Sequence, residues 1–544
     1  MIHIKNHLIA IFILLCSLPV SAQQVAKSVF QLTTYKKDGS ILSRCNGFFI
    51  DNKGEAVAPW KPFVGAYKAV ITETNGKKAE VTSLIGANEI YDICRFNTKI
   101  ASIPAQLAST AASAGEAVTV VGSKSAGMRV STADKFKQYN YYTLSMADNN
   151  FYGCPVINKQ GKVIGMYAAS GSGSATDAAC TNEFKASGLS LNDPVLKSCG
   201  IRPALPDKHD DAVLALYLSA DQSNAAWHEA FAQEFLLKFP ASPEGYEQMG
   251  NIYYQAGKYE DASNIMEEGI RKATPKDETH YNYAKLVYQK ITNQPDSVYP
   301  SWNADKVISE TKKAYQERPL SLYKNLEAQA LFAKKNYDKS YAIFMELTKD
   351  TTFKSGEVFY EAAMCRKMQN APKSDILSLL DSAVECRPLT YASAPYVLAR
   401  AQMLDEMGDY RKAIADYNRY DTLTLGRSND EFYYMRYACE LKLKQYQQAL
   451  NDIAHAIVIN RNVPEYYAEM AQLQMQVKMY DKAIQTADLG LQAFPDHGDL
   501  YLIKGLSFIF NGDKQKGLSI LQQAKEHGAA EKADQLIKKY IAVR

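Results

Sequence analysis

The sequence predicts a multidomain chain in which an all-β domain is followed by an all-α solenoid, and three features carry that prediction. From residue 24 to residue 199 the chain breaks into short β-branched and aromatic runs separated by turn signals, the pattern of an all-β domain. From about Asp211 it turns to long helical stretches rich in Ala, Leu, Tyr, Lys and Gln. Within those stretches small residues recur 34 positions apart, the mark of stacked helical repeats.

A length of 544 residues exceeds what one core fills, so several domains, or a domain and a repeat array, are expected. The hydrophobic share of 47% and charged share of 22% are those of a soluble globular protein, and a formal charge of +3 is nearly balanced. There is no Lys/Arg-rich run, no zinc-type Cys/His spacing and no Gly-rich phosphate loop. No nucleic acid, no metal and no cofactor are therefore expected.

Residues 1–22 read as a secretory signal peptide. Lys5 precedes an apolar stretch from Leu8 to Leu18, and Pro19-Val20-Ser21-Ala22 ends in small residues before Gln23. About eleven apolar residues fall short of the roughly 20 that span a bilayer, which favours cleavage after Ala22 over an anchor. Cys16 lacks the preceding small residue of a lipoprotein signal. The expectation is an exported protein, periplasmic or associated with the cell envelope. Eight of the nine cysteines remain after cleavage, and an oxidising compartment allows disulfides. Cys180 with Cys199 and Cys365 with Cys386 are sequence-local pairings to test; the alternative for each is a buried free thiol.

The β domain is placed at residues 23–202. Its runs include Val29–Leu32, Asn46–Ile50, Lys68–Ile71, Ala117–Val121 and Lys162–Met166, which would close a barrel or a sandwich. Residues 203–210 read as a linker, 211–530 as about eight helical repeats, and 531–544 as a capping helix that ends the solenoid.

In the repeat half, Gly250 to Ala284, Tyr437 to Ala471 and Ala471 to Gly505 are each 34 residues apart. The unit 243–275 carries Tyr246, Gly250, Tyr253, Gly257, Tyr259, Ala262 and a closing Pro275, and 464–495 carries Ala471, Tyr480, Ala483, Gly490 and Pro495. These offsets resemble tetratricopeptide repeats. Looser units carry Ala401, Gly408, Tyr410 and Ala413, or Tyr437, Tyr446 and Ala449. The spacing from Ala284 to Ala328 is 44, so an insertion is expected near residues 293–303.

The stretch from about residue 28 to 170 resembles trypsin-like serine proteases of the bacterial periplasmic quality-control type, through landmarks in order. Asn46-Gly47-Phe48-Phe49-Ile50-Asp51 is similar to that family's Gly-Ser-Gly-Phe-Ile-Ile strand. Gly54 to Ala66 falls on its Thr-Asn-Ala-His-Val motif, Tyr91-Asp92-Ile93 on its Asp-Leu-Ala, and Gly115-Glu116 and Gly122 on a Gly-Glu and a later Gly. Gly153-Cys154-Pro155-Val156-Ile157-Asn158, with Gly161 and Val163-Ile164-Gly165 beyond, falls on the Gly-Asn-Ser-Gly-Gly-Pro-Leu stretch. The resemblance implies a trypsin-like double β-barrel.

It also implies where a catalytic triad would stand, and two of the three residues differ. Lys61 occupies the histidine position, Asp92 the aspartate position, and Tyr152 the serine position, with Cys154 replacing a glycine of the tight loop. No shift restores the base, since the eight histidines are His3, His7, His209, His228, His280, His455, His497 and His527. A phenol is a poor amide nucleophile without a strong base, and a side chain in the oxyanion turn alters its backbone. The degenerate triad predicts an inactive protease homologue. The alternative is an active serine- or cysteine-type endopeptidase with an unconventional site, using Cys154 as nucleophile or Lys61 as base towards Ser145 or Ser170.

Stacked helix pairs present a concave face lined by the first helix of each unit. On the repeat register Asn251, Tyr254, Tyr434, Gln472 and Met475 would point into that groove; the tyrosines could equally be core packing between repeats. No dense basic clamp for a C-terminal carboxylate stands out. The function read from sequence is a non-catalytic scaffold that binds proteins or peptides through the repeats. An outer-membrane-associated protein complex is one setting that export allows.

Overall fold

In the computed structural model the described residues are 20–168, 173–221, 224–294, 298–386 and 388–541. The chain divides into two compact units, Met1–Leu286 and Val287–Arg544. Most of the expected signal peptide, and Ser170, lie outside the described residues.

The first unit holds twelve described strands: β1 (Val29–Tyr35), β2 (Ile41–Phe49), β3 (Glu55–Ala58), β4 (Lys68–Glu73), β5 (Lys78–Asn88), β6 (Ile93–Thr98), β7 (Ala117–Val121), β8 (Ser125–Phe136), β9 (Tyr139–Leu144), β10 (Pro155–Ile157), β11 (Val163–Ala168) and β12 (Ser174–Asp177). They close into two six-stranded barrels, in the orders β1-β2-β3-β6-β5-β4 and β10-β11-β12-β9-β8-β7. Every strand pairing is antiparallel, β1 with β4 and β7 with β10 making the closures. Closure leaves no long unpaired edge for another chain to extend.

Alternation along the strands supplies two layers at once. Phe30, Phe49, Ala56, Ala58 and Phe96 point into the first barrel, where they pack with Trp60 and Phe63. Their neighbours Val29, Phe48 and Val57 point the other way, and with Ile93 they meet Val121, Ile157, Val163 and Met166 of the second barrel. Each such side chain contributes about 1.5–3 kcal/mol by leaving water. Ala22 and Val25, on the helix Val20–Ala26, join the same seam. The second barrel is filled by Val118, Val120, Tyr142, Val156, Ile164 and Tyr167.

The chain leaves the barrels packed, not slack. Pro203 to Pro206, the first half of the stretch read as a linker, is buried. Ala204 N–H donates to the Leu84 carbonyl at 2.7 Å. Leu205 then packs with Ala212, Leu216, Phe231 and Phe235 of the first two helices, and Arg202 pairs with Glu234.

Antiparallel helix pairs follow. In the first unit these are His209–Ala220 with Ala225–Lys238, and Pro243–Gln255 with Tyr259–Lys272. Small residues sit where helices cross: a Cβ on Gly250 would lie 2.8 Å from Met266 Sδ, and one on Gly269 would lie 2.8 Å from the Tyr246 ring. In the second unit six described pairs run from Ser321–Ala333 with Tyr337–Leu347 to Gly498–Phe510 with Lys514–Ala524, and Ala530–Ile541 closes the series. The helix Lys276–Asn293 is 18 residues long, against 13 for most first helices, so the expected insertion begins as an extended helix.

The tight turn inside a pair needs one left-handed residue. Glycine fills that place at Gly408 and Gly512, but Lys335, Asn370, Lys444 and Lys478 adopt it too, with φ from 53° to 64°.

The second unit also buries charge on a repeating plan. Arg400 donates to Asp416 through Nε at 2.6 Å and Nη2 at 2.8 Å, and Arg436 donates to Asp452 with the same two distances. The two pairs are 36 residues apart. Arg436 also stands over the rings of Phe432 and Tyr433. One helical turn beyond it, Glu440 is 4% exposed and its Oε2 has no hydrogen-bond partner.

The eight described cysteines are free thiols, so neither sequence-local disulfide forms. Cys180, in the 3₁₀ turn Ala178–Glu183, lies in the seam between the barrels, and Cys199, closing the turn Leu196–Ser198, lies in the core of the first. Cys365 is buried against Ser340 Oγ at 3.3 Å, whereas Cys386 is half-buried past the end of the next helix.

Burial, reinforced by the charge of Asp452, raises the Glu440 carboxyl from 4.5 to about 8. An acid with a raised native pKa loses stability as pH climbs from its unfolded pKa to its folded one, because the unfolded chain releases the proton first. Glu440→Gln is therefore expected to leave the thermal midpoint unchanged near pH 4. By about pH 8 it should gain about 1–3 kcal/mol. Melting curves of both proteins across that range test it; a variant less stable at every pH would contradict the assignment.

Candidate functional site

The two barrels bring the three triad-position residues into one cluster. Lys61 opens a short 3₁₀ turn after β3, and the following Pro62 and Phe63 are buried, with Phe63 stacked on Trp60 at 5.9 Å. That anchoring turns the Lys61 side chain outward, 75% exposed. Asp92 occupies the turn between β5 and β6 with φ of 49°, its side chain 13% exposed. Tyr152 follows the 3₁₀ turn Asn149–Phe151 on the loop from β9 to β10.

Asp92 is the common acceptor. Its Oδ1 receives the Lys61 backbone N–H at 2.8 Å and its Oδ2 receives the Tyr152 hydroxyl at 2.8 Å. Lys61 Nζ stands 3.9 Å from Oδ2, an ion pair at the solvent edge that contributes little. The phenol thus meets the carboxylate directly, with no imidazole between them. Burial first, then the adjacent Asp92 charge, holds the Tyr152 hydroxyl far above the usual phenol range. The phenolate is not available as a nucleophile near neutral pH.

The loop around Tyr152 has committed its donors. Asn150 N–H donates to Asp148 Oδ1 at 2.9 Å. Phe151 N–H goes to Asp148 O at 3.1 Å, Tyr152 N–H to Asn149 O at 3.2 Å, Gly153 N–H to Tyr167 O at 2.9 Å and Cys154 N–H to Phe151 O at 2.7 Å. An oxyanion receptor requires N–H groups aimed at an empty position, and each of these already has an acceptor. The loop is further pinned to β2, where Asn46 N–H and Nδ2 donate to the Tyr152 carbonyl at 2.9 and 3.0 Å. Gly153 has φ of 85°, and a Cβ there would fall 2.0 Å from Asn46 O, so the chain passes with no room for a side chain.

Cys154 does not face the cleft. It is 1% exposed among Phe151, Val156, Ile164 and Tyr167 inside the second barrel, and burial pushes its thiol up to about 12. Ser145 Oγ accepts the Arg129 N–H at 2.9 Å, and no hydrogen bond among the described residues joins it to Lys61. The cysteine route and the Ser145 dyad are thus not assembled in this structure.

The groove residues divide. Gln472 and Met475 line an opening of about 840 Å³ with Glu465, Glu469, Leu502 and Leu536. Tyr434 is half-buried in an aromatic group, 5.8 Å from Tyr437 and 5.2 Å from Tyr466. Asn251 and Tyr254 are half-buried, and Tyr254 packs 5.9 Å from Tyr259 of its own helix pair. The contact between Tyr152 and Asp92 escaped the sequence reading; its only trace was that the serine and histidine positions changed together.

No protein-family model matches the chain. Among curated proteins it is 21% identical over 280 residues to the DnaJ homolog subfamily C member 7 homolog of Dictyostelium discoideum, a match that takes in 47% of this chain and 50% of that one. The chain thus spans about half the length of the curated relative it matches. Among solved structures, the crystal structure of the Rv3671c protease from M. tuberculosis, active form, aligns over 29% of this chain and 80% of that chain, at 16% identity and a TM-score of 0.26.

Thiol accessibility tests the placement of Cys154. In native protein iodoacetamide is expected to modify Cys386 first, with Cys154 protected until unfolding. Peptide mapping by mass spectrometry reads the order. Rapid modification of Cys154 would show that its side chain reaches the cleft.

Proposed function

We propose that the chain is an exported, non-catalytic protein-interaction scaffold, in which a trypsin-like barrel domain without a working triad accompanies a tetratricopeptide-repeat array that binds other proteins or peptides. The observation that carries the first half is the Tyr152 hydroxyl on Asp92 Oδ2. It occupies the aspartate that a histidine base would use, while the neighbouring N–H groups already have acceptors in the loop and on β11. The second half rests on the helix pairs and on the open groove at Gln472 and Met475.

Export is supported by the sequence pattern of residues 1–22. Burial of seven of the eight described cysteines is compatible with an oxidising compartment, because shielded thiols are slow to react.

The full-length protein is expected neither to form an adduct with a fluorophosphonate reagent nor to release fragments from casein, read by intact-mass analysis and gel. Covalent labelling within residues 23–202 would sink the non-catalytic reading. For the array, benzoylphenylalanine at Gln472 is expected to photo-crosslink a protein partner in envelope extracts, whereas the same group at Leu489, an exposed position outside the groove-lining set, is not. Equal crosslinking from both positions would remove the groove from the proposal.

A further inference from the structure

The barrel domain holds a second opening beside Tyr152. It measures about 580 Å³ and is bounded by Gln31 and Arg44 on β1 and β2, by Lys124 in the turn from β7 to β8, and by Asn149 and Asn150 on the loop. Gln31, Arg44, Lys124, Asn149 and Asn150 are all exposed, so the opening is a surface cleft of ligand-site size.

Its charges are unbalanced. Arg44 and Lys124 come from different barrels, and neither has an ion-pair partner among the described residues. Against these two cations stands one acid among the lining residues, Asp148, whose Oδ1 accepts Asn150 N–H at 2.9 Å, so the lining keeps a net positive charge. The side-chain amides of Gln31, Asn149 and Asn150 also have no protein hydrogen bond among the described residues. Each offers a donor and an acceptor, the pair a peptide unit requires.

We propose that this opening binds a peptide carboxylate, held between the Arg44 guanidinium and the Lys124 ammonium with the three amide side chains on the adjoining peptide backbone. A guanidinium presents two parallel N–H groups to a carboxylate, and the ammonium adds a mobile donor, so an acidic peptide is favoured over a neutral or basic one. The site needs neither the repeats nor any cleavage step. The carboxylate can belong to a peptide C-terminus or to an Asp or Glu side chain.

The test uses full-length protein and a fluorescein-labelled peptide, Gly-Ala-Ala-Asp-Glu-Ala-Asp, in fluorescence anisotropy, beside its C-terminal amide and a version with Lys at each acidic position. Saturable binding of the acidic peptide is expected, weakening as salt rises from about 50 to about 300 mM. Arg44→Gln with Lys124→Gln should weaken it about tenfold or more, with Lys124→Gln alone intermediate and the thermal midpoint unchanged. Retention by the amide assigns the contact to side-chain carboxylates, and loss assigns it to the terminus. Binding of the Lys peptide as tight as that of the acidic one would overturn the proposal, as would undiminished binding to the double variant. Displacement by inorganic phosphate at peptide-like concentrations would overturn it too. Mass analysis of the same mixtures separates the two readings, since cleaved peptide would contradict the non-catalytic assignment and leave the binding result standing.

Discussion

The apolar seam between the barrels fixes everything that reaches across it. Val29, Phe48, Val57 and Ile93 from one barrel and Val121, Ile157, Val163 and Met166 from the other hold the two in a single registration. Asp92 belongs to the first barrel and Tyr152 to a loop of the second, and their 2.8 Å hydrogen bond exists only because the seam sets that registration. The same holds for Asn46 on the Tyr152 carbonyl. A charged hydrogen bond of this kind contributes about 1.5–3 kcal/mol, less than the seam it depends on. Packing positions the cleft, and the polar contacts then specify one arrangement within it.

Much of the architecture was legible because it follows from period and sterics. A repeat of 34 residues located Gly250 and Gly505, and those glycines stand where helices cross with no room for a Cβ. The order of landmarks located Lys61, Asp92 and Tyr152 close enough that all three meet. Other features had no local signal. The second half of β8, residues 131–136, is largely exposed and polar, so it lacks the alternation that marks a half-buried strand. The 60-residue gap between Asp92 and Tyr152 hides their hydrogen bond from any sequence window. The disulfide guesses failed because nearness in sequence says nothing about which core a cysteine enters, and Cys180 and Cys199 enter different ones.

The buried ion pairs of the second unit follow a different logic. Arg400 with Asp416 and Arg436 with Asp452 place charge where a helix pair could have used apolar side chains. Desolvation offsets most of the Coulomb gain, so their contribution to stability is small. Their geometry is demanding, however, and the repetition at 36 residues ties successive pairs to one alignment. That spacing, Arg and Asp 16 apart and repeated, was present in the sequence and would have been found by a search for periodic charges as well as periodic small residues.

The committed donors around Tyr152 limit what side-chain changes alone can do to the cleft. Histidine placed at 61 and serine at 152 would supply two side chains of a hydrolase but no receptor for negative charge. Asp148 would still hold Asn150 N–H, and the Tyr167 carbonyl would still hold Gly153 N–H. The turn itself would have to be rebuilt before those N–H groups could face an empty position. The loop therefore acts as a latch: side chains can change around it while its N–H groups stay turned to their present acceptors.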